Sequence, residues 1–390
     1  MAVLRLALRN LLGAGLRTWL NVAALSFSFV AIIFLQGIYI GMNDQVEQAT
    51  REAWYGGGQF WQKAYDPYDP LTLDDAHAPV PKELQFLIDN QEATPVLVRQ
   101  ATIYPRGRFR AVLLKGINPD QKVLSIPSSF LKSGDETIPA LVGNRMAESA
   151  GLHRGDHITI QWRDVHGTFD ARDVLIFDIF TTPVQEIDIG QIWIPLDRLQ
   201  KLTALPNQAT IVVLGKNRLP PQVPAGWTFK NLNFLLRDIH SLVRMKRVGA
   251  AIFYFILLFM AMLAIFDTQV LSIFRRRREM GTLMALGMTR ANVIALFTLE
   301  GAFHGVLAAL AAAVWGVPLL GVAARNGWKI PTSQDSFGYA IGDTIFPVYT
   351  AALVAGTIFL VLTVTTIVSY LPTRRIAKLK PTDALRGKMP

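Results

Sequence analysis

The chain has no cysteine in its 390 residues. Disulfides, thiolate metal sites, cysteine nucleophiles and cysteine-linked lipids are therefore excluded. Charge is scarce: 17 % of residues are Asp, Glu, Lys or Arg, against about 25 % in a typical soluble domain. No G-x-x-x-x-G-K-[ST] phosphate loop, G-x-S-x-G elbow or H-E-x-x-H pair occurs, so ATP hydrolysis, serine-type acyl transfer and zinc proteolysis lack their usual machinery here. Apolar residues are plentiful, at 51 % of the chain with a mean hydropathy of +0.30. This is the composition of a membrane protein with a sizeable soluble part.

Four long stretches almost free of charge stand out at residues 19–42, 247–274, 291–324 and 346–370. Each exceeds the roughly 20 apolar residues that cross a bilayer. The first is longer than the ~7–15-residue core of a signal peptide and no small-x-small site follows it, so it reads as an uncleaved span. The net charge of +10 is confined to short flanks. Arg5, Arg9 and Arg17 precede the first span, Arg275 to Arg278 and Arg290 separate the second and third, and six Lys or Arg follow the fourth. The 43–247 segment balances 23 basic with 23 acidic residues. By the positive-inside rule both termini and the 275–290 segment are cytoplasmic, and residues 43–246 and the short 325–345 loop lie outside. No basic patch with interleaved aromatics is left over, so nucleic acid is not an expected partner. In residues 1–18, Arg5 and Arg9 share one helical face, with Leu4, Leu8, Leu11 and Leu12 on another. This fits an interfacial amphipathic helix or a plain topology signal. Residues 371–390 form a basic cytoplasmic tail.

Residues 43–246 are ample for a folded domain. Strand-like runs (GQFWQKAY, TPVLVRQATIYP, FRAVLLKGI, HITIQW, RDVLIFDIF, GQIWIPL, ATIVVLG) alternate with short helical patterns (VPKELQFLIDN, GNRMAESAG, PLDRLQKLTAL). That mixture predicts an α+β domain. At its ends, NDQVEQATREAW prolongs the first span. After the Pro/Gly-rich 220–226 connector, the stripe Leu235, Leu236, Ile239, Leu242 and Val243 leads into the second. Both read as a helical stalk. His77, His153, His157, His166 and His240 are scattered, and Gly155 interrupts the one i,i+4 pair. Neither a metal site nor an enzymatic outer domain is expected.

Asp267 and Glu300 interrupt the second and third spans. Lipid-exposed carboxylates are expensive, so such groups mark interior or functional positions. At 1.5 Å per residue they lie roughly 12–15 Å from the flanking arginines. Hydrogen-bonded structural roles are expected, with Asp267 reaching the arginines or Gln269; an ion or proton relay is the alternative.

The most distinctive segment joins the second and third spans: RRRREMGTLMALGMTRANVIALFTLEG. Four arginines anchor a helix end at the headgroups. The residues that follow are small and apolar, which a bare basic loop does not need and a helix pressed into a partner's groove does. Gly287 suits a helix C-terminus. This pattern, the closing LPTRRIAKLKPTDALRG, and the layout of one span, a large outside domain and three spans resemble the FtsX/MacB/lipoprotein-releasing (LolC/LolE-like) family of ABC transporter permeases. The resemblance implies a type VII, mechanotransmission architecture: an α-helical membrane protein with four transmembrane helices plus a large α+β extracytoplasmic domain (MacB-type core) inserted between helices 1 and 2. It further implies residence in the bacterial inner membrane with the large domain periplasmic. Expected partners are a cytoplasmic ABC ATPase dimer, which would bind ATP and Mg, a second identical or different permease subunit, a periplasmic carrier or adaptor, and membrane lipid. This chain itself needs no cofactor.

On this reading residues 275–290 are the coupling helix. Glu279, Met280, Leu283, Met284, Leu286 and Gly287 contact the ATPase, and Arg275, Arg276, Arg277 and Arg278 anchor the membrane end. Phe27, Phe34, Ile38 and Met42 of the first span and Phe253 and Phe259 of the second are candidate linings of an apolar substrate cavity. The stretches IPALVGNRMAESAGLHRGDHITI and LIFDIFTTPVQEIDIGQIWIPLDRLQKL resemble the lipoprotein-releasing branch, which points to lipoproteins or lipids as cargo. The RDVHGTFDA turn is shorter than that branch's carrier-recruiting loop. Efflux of peptides or drugs, and non-transporting activation of a cell-wall hydrolase, are the alternatives.

Overall fold

The computed structural model describes residues 15–132, 137–216, 218–329 and 344–376. Most of the proposed N-terminal amphipathic helix, most of the 325–345 loop and residues 377–390 lie outside the described residues. The chain divides into two units, one of Met1–Asn43, Val243–Ile330 and Thr344–Pro390, the other of Asp44–Leu242 and Pro331–Asp343.

The second unit is the mixed domain. Seven of its strands fall on the runs named above: β1 (Gly58–Gln62), β2 (Ala93–Ile103), β3 (Arg110–Ile117), β5 (His157–Arg163), β6 (Phe169–Phe180), β7 (Gln191–Pro195) and β8 (Ile211–Leu214). β4 (Ile138–Gly143) and the edge strand β9 (Trp227–Lys230) complete one sheet in the order β9-β1-β8-β2-β3-β7-β4-β6-β5. β3 runs parallel to β7 and β4 to β6, and the other pairs are antiparallel. The sheet also closes on itself. The end of β2 pairs with β5 through Ala101–Trp162, Thr102–Gln161 and Ile103–Ile160, so β2, β3, β7, β4, β6 and β5 form a six-stranded barrel.

Alternation sorts the side chains. Leu97, Val112, Leu114, Val142, Ile160, Trp162, Ile176, Ile192 and Ile194 fill one core, joined by Met146 from the short helix Asn144–Ala150 and Leu199 from the helix Leu196–Leu202. The opposite faces carry Val96, Val98, Ile117, Leu141, Trp193, Ile211 and Val213. Trp54 covers them from the chain that enters the domain. That chain is helix α1 (Leu16–Thr50), which ends in a single π-helical turn, Arg51–Tyr55. A triglycine follows. A Cβ on Gly56 would lie 2.3 Å from the Leu214 carbonyl oxygen, and one on Gly57 2.3 Å from that of Gly215. The helix exit therefore runs flush against β8, an approach only glycine permits.

The first unit is helical. Beside α1 up to Asn43 it contains helix Arg237–Arg275 (α2 here) from Val243 on, helix Arg277–Ala285 (α3), helix Arg290–Asn326 (α4) and helix Ala351–Ile376 (α5). Among the described residues three helices are long and apolar enough to cross a membrane: Trp19–Tyr55, Arg290–Asn326 and Ala351–Arg374. The second predicted span lies within α2, whose Ala251–Met260 stretch is a shorter apolar run. The fourth begins helically only at Ala351; residues 346–350 have no regular secondary structure. Val22, Leu25, Phe29, Val30 and Ile33 of α1 pack with Ala308, Ala312 and Leu320 of α4 and Val361 and Val368 of α5. Small residues on α4 allow close approach, the usual device where lipid offers no hydrophobic drive between helices. At Gly316 an added Cβ would lie 2.5 Å from Val30 Cγ2.

Candidate coupling site

The segment between α2 and α4 folds as a separate nine-residue helix, α3. One residue, Arg276, breaks the run between α2 and α3, with φ −95° and ψ 10°. Its guanidinium is the hub of the site. Nη1 donates to Glu300 Oε2 at 2.7 Å on α4, and Nε donates to Glu279 Oε2 at 2.7 Å on α3. The guanidinium carbon lies 4.9 Å from the centre of the Phe297 ring. Glu300 is buried. His304, one turn further on, is also buried, and its Nδ1 lies 2.9 Å from the Glu300 carbonyl oxygen. Three helices thus converge on one cation, two carboxylates and an aromatic face, with planar donors matched to the acceptors.

The end of α3 is equally defined. Gly287 has φ +96°, its N–H bonds the Met284 carbonyl oxygen at 3.1 Å, and the Met288 N–H bonds that of Leu283 at 3.0 Å. These are the paired hydrogen bonds of a Schellman motif, and Met288 and Leu283 both pack against the Val293, Leu296 and Phe297 cluster. Thr289 then caps α4, its Oγ1 accepting from the Asn292 N–H. Turn and cap together fix where α3 stops and α4 starts.

This geometry redistributes the predicted contact residues. Leu283 and Met284 are half-buried against Val293, Leu296 and Phe297 of α4. Their apolar side faces the start of α4. Glu279 is exposed but holds Arg276. Leu286 stands at the tip, 80 % exposed, with exposed Thr282, Ala285 and Gly287 beside it. Arg276, one of the four arginines expected to anchor the helix end, holds Glu300 and Glu279. The side chains of Arg275, Arg277, Arg278 and Met280 lie outside those described.

Glu300, expected in a hydrogen-bonded role, accepts from Arg276 as described above. Asp267 is exposed, and the side chains of its expected partners Gln269 and Arg275 lie outside those described. The six cavity candidates have different surroundings. Met42 is buried, Ile38 is half-buried, and Phe34 packs edge-on against Trp328. Phe27, Phe253 and Phe259 are exposed. Among the described residues no group of three or more His, Asp or Glu side chains is placed to hold a metal ion. Phe297 and His304 escaped the sequence reading, although they sit three before and four after Glu300, on the same helical face.

Comparison with known proteins gives the site its context. Residues 251–381 match the FtsX-like permease C-terminal family. The lipoprotein-releasing system transmembrane protein LolC of Xylella fastidiosa is 22 % identical over 330 residues, covering 75 % of this chain and 77 % of that one. LolC of Neisseria meningitidis serogroup B is 22 % identical over 334 residues with the same coverage. An uncharacterized ABC transporter permease of Methanocaldococcus jannaschii is 29 % identical over 126 residues, 31 % of this chain and 28 % of that one. The extracellular domain of the ABC-type transporter YknZ from Gram-positive bacteria corresponds to 47 % of this chain and 94 % of its own, at 15 % identity and a TM-score of 0.26, a superposition too loose to bear on the fold.

Proposed function

Because the chain is an FtsX/LolC-like ABC transporter permease, we propose that it is the subunit through which a separate cytoplasmic ATPase moves an outer domain. The observation that carries this reading is how α3 is fastened and ended. A helix tied by Arg276 to α4, stopped by a Schellman turn and tipped by an exposed leucine is suited to transmit force. Leu286 enters a groove of the ATPase, and displacement of α3 passes through Arg276 and Glu300 into α4. Four spans with both termini cytoplasmic, the α2 span included, place residues 43–246 outside. A second permease subunit completes the membrane part and gives the exposed Asp267 a polar neighbour. Lipoproteins or lipids are the proposed cargo, supported by the LolC relatives.

The experiment is to purify the tagged chain from its native membrane and identify what accompanies it. The reading expects an ABC ATPase whose hydrolysis responds to the permease, and loss of that ATPase on Leu286→Glu. Recovery of a folded permease with no nucleotide-hydrolysing partner under conditions that preserve membrane complexes overturns it.

A further inference from the structure

Lys115 lies in the middle of β3, on the barrel face that carries Val98 and Trp193, its neighbours in register on β2 and β7. It is 2 % exposed. Its Nζ is 3.5 Å from the centre of the Trp54 ring and 5.0 Å from that of Trp193. The two indoles meet edge to face, 5.6 Å apart. Burial pushes the amine down to about 7, opposed by the carboxylate of Glu186, the charged group that faces it. Glu186 is in turn held by the Tyr55 hydroxyl at 3.1 Å.

A methionine or leucine would fill this slot with no charge to desolvate. A buried ammonium gains chiefly from the indole faces, where a desolvated cation–π contact is at its strongest. The closer indole does not belong to the barrel. Trp54 sits in the π-helical turn that ends α1. Its carbonyl accepts from Gln59 Nε2 at 2.8 Å, and Gln59 Oε1 accepts from Trp61 Nε1 at 2.7 Å. A π-turn adds one residue to the helical register, a feature recurrent at functional sites. Here it rotates Trp54 onto the amine. One cation therefore bridges a residue of the incoming helix and a residue of the barrel wall.

We propose that Lys115 is a positioning residue whose ammonium pins Trp54, and with it the outer end of α1, in one register on the barrel, and that loss of its proton loosens that register. The pin stands whether or not an ATPase drives the chain; only the use made of the transmitted motion rests on the function proposed above.

The test uses the full-length chain in lipid nanodiscs, with nitroxides at Gln48→Cys on α1 and Ala171→Cys on β6, the absence of native cysteine leaving no competing thiol. The width of the distance distribution is measured at pH 6 and pH 8.5, on either side of the amine's titration. With Lys115 present, one narrow distance is expected at pH 6 and a distribution roughly twofold broader at pH 8.5, where most of the amine is neutral. Lys115→Met should be broad at both values, and Lys115→Arg, which keeps its charge, narrow at both. Equal widths at the two pH values with Lys115 present, or a Met variant as narrow as the native chain at pH 6, overturn the proposal. If the Met variant does not fold, the pH comparison on the native chain decides alone.

Discussion

Arg276 donates to Glu300 across 2.7 Å, joining a residue that ends one helix to a carboxylate buried in the middle of another. Removing one side of such a pair takes the guanidinium contact from the buried carboxylate, which costs more than the pair contributes net. Arg276→Met should therefore destabilise the helical unit by about 2–4 kcal/mol, reduced from the fully buried case because the arginine is partly exposed. Arg276→Met combined with Glu300→Met should recover much of that loss. Thermal unfolding of the four chains in detergent checks this, and an additive double variant argues against a coupled pair.

Much of this site could be read from the amino-acid order, and the unread part has a definite character. Helix ends, the Gly287 turn and the exposed Leu286 follow from local rules acting over three or four residues. Arg276 looked like one of four equivalent headgroup anchors because its partner lies 24 positions away, and nothing in the local pattern singles it out. Leu283 and Met284 looked available to a partner because the start of α4 that covers them is brought there only by the Schellman turn. In the outer domain the strands were visible as apolar runs. Barrel closure through Ala101 and Trp162, and the burial of Lys115 within FRAVLLKGI, depend on pairings between distant segments.

Leu283 in α3 and Leu286 at its C-cap should behave in opposite ways. Leu286→Glu alters a side chain that is 80 % exposed and should leave thermal stability within about 0.5 kcal/mol, while abolishing ATPase association. Leu283→Ala removes packing against Phe297 and should destabilise by about 1–2 kcal/mol, the reduced effect of a half-buried position. Parallel melting and co-purification measurements separate the roles. If Leu286→Glu retains the ATPase, the tip of α3 is not the contact.

Gly287 has φ +96°, where a β-branched residue is strained. Gly287→Val should cost about 1–2 kcal/mol and fray the last turn of α3. Asn tolerates positive φ better than other non-glycine residues, so Gly287→Asn should cost less. Hydrogen exchange at the Gly287 and Met288 amides, the two that close the motif, reads the change directly. Equal protection in the Val variant would show that the turn does not depend on glycine.

The contact between Gly316 and Val30 sets how closely α1 and α4 approach. A Cβ at 316 would lie 2.5 Å from Val30 Cγ2, well inside contact distance. Gly316→Ala should lower the melting temperature of the full-length protein in detergent, and adding Val30→Ala should restore it by vacating that space. Overpacking of this kind typically costs about 1–3 kcal/mol. A double variant no better than the single would mean that the helices separate rather than repack.

Stability against pH should also carry the mark of Lys115. Burial disfavours the cation and pushes its amine down to about 7 in the folded domain, well below the ordinary lysine value of about 10.4. Between those values the unfolded chain binds a proton that the folded chain does not, so stability from this group rises with pH from about 7 toward 10 and is lowest below 7. Lys115→Met removes the ammonium's desolvation cost, and should therefore raise the outer domain's melting temperature more at pH 6 than at pH 9. That gain would come in the same variant that loosens the register of Trp54. A chain that is more stable yet less well ordered at the α1 junction would show the buried cation acting on specificity at the expense of stability, a trade reported for some buried polar groups. If Lys115→Met gains no more stability at pH 6 than at pH 9, the buried ammonium carries no net desolvation cost and the amine does not titrate near 7 in the folded domain.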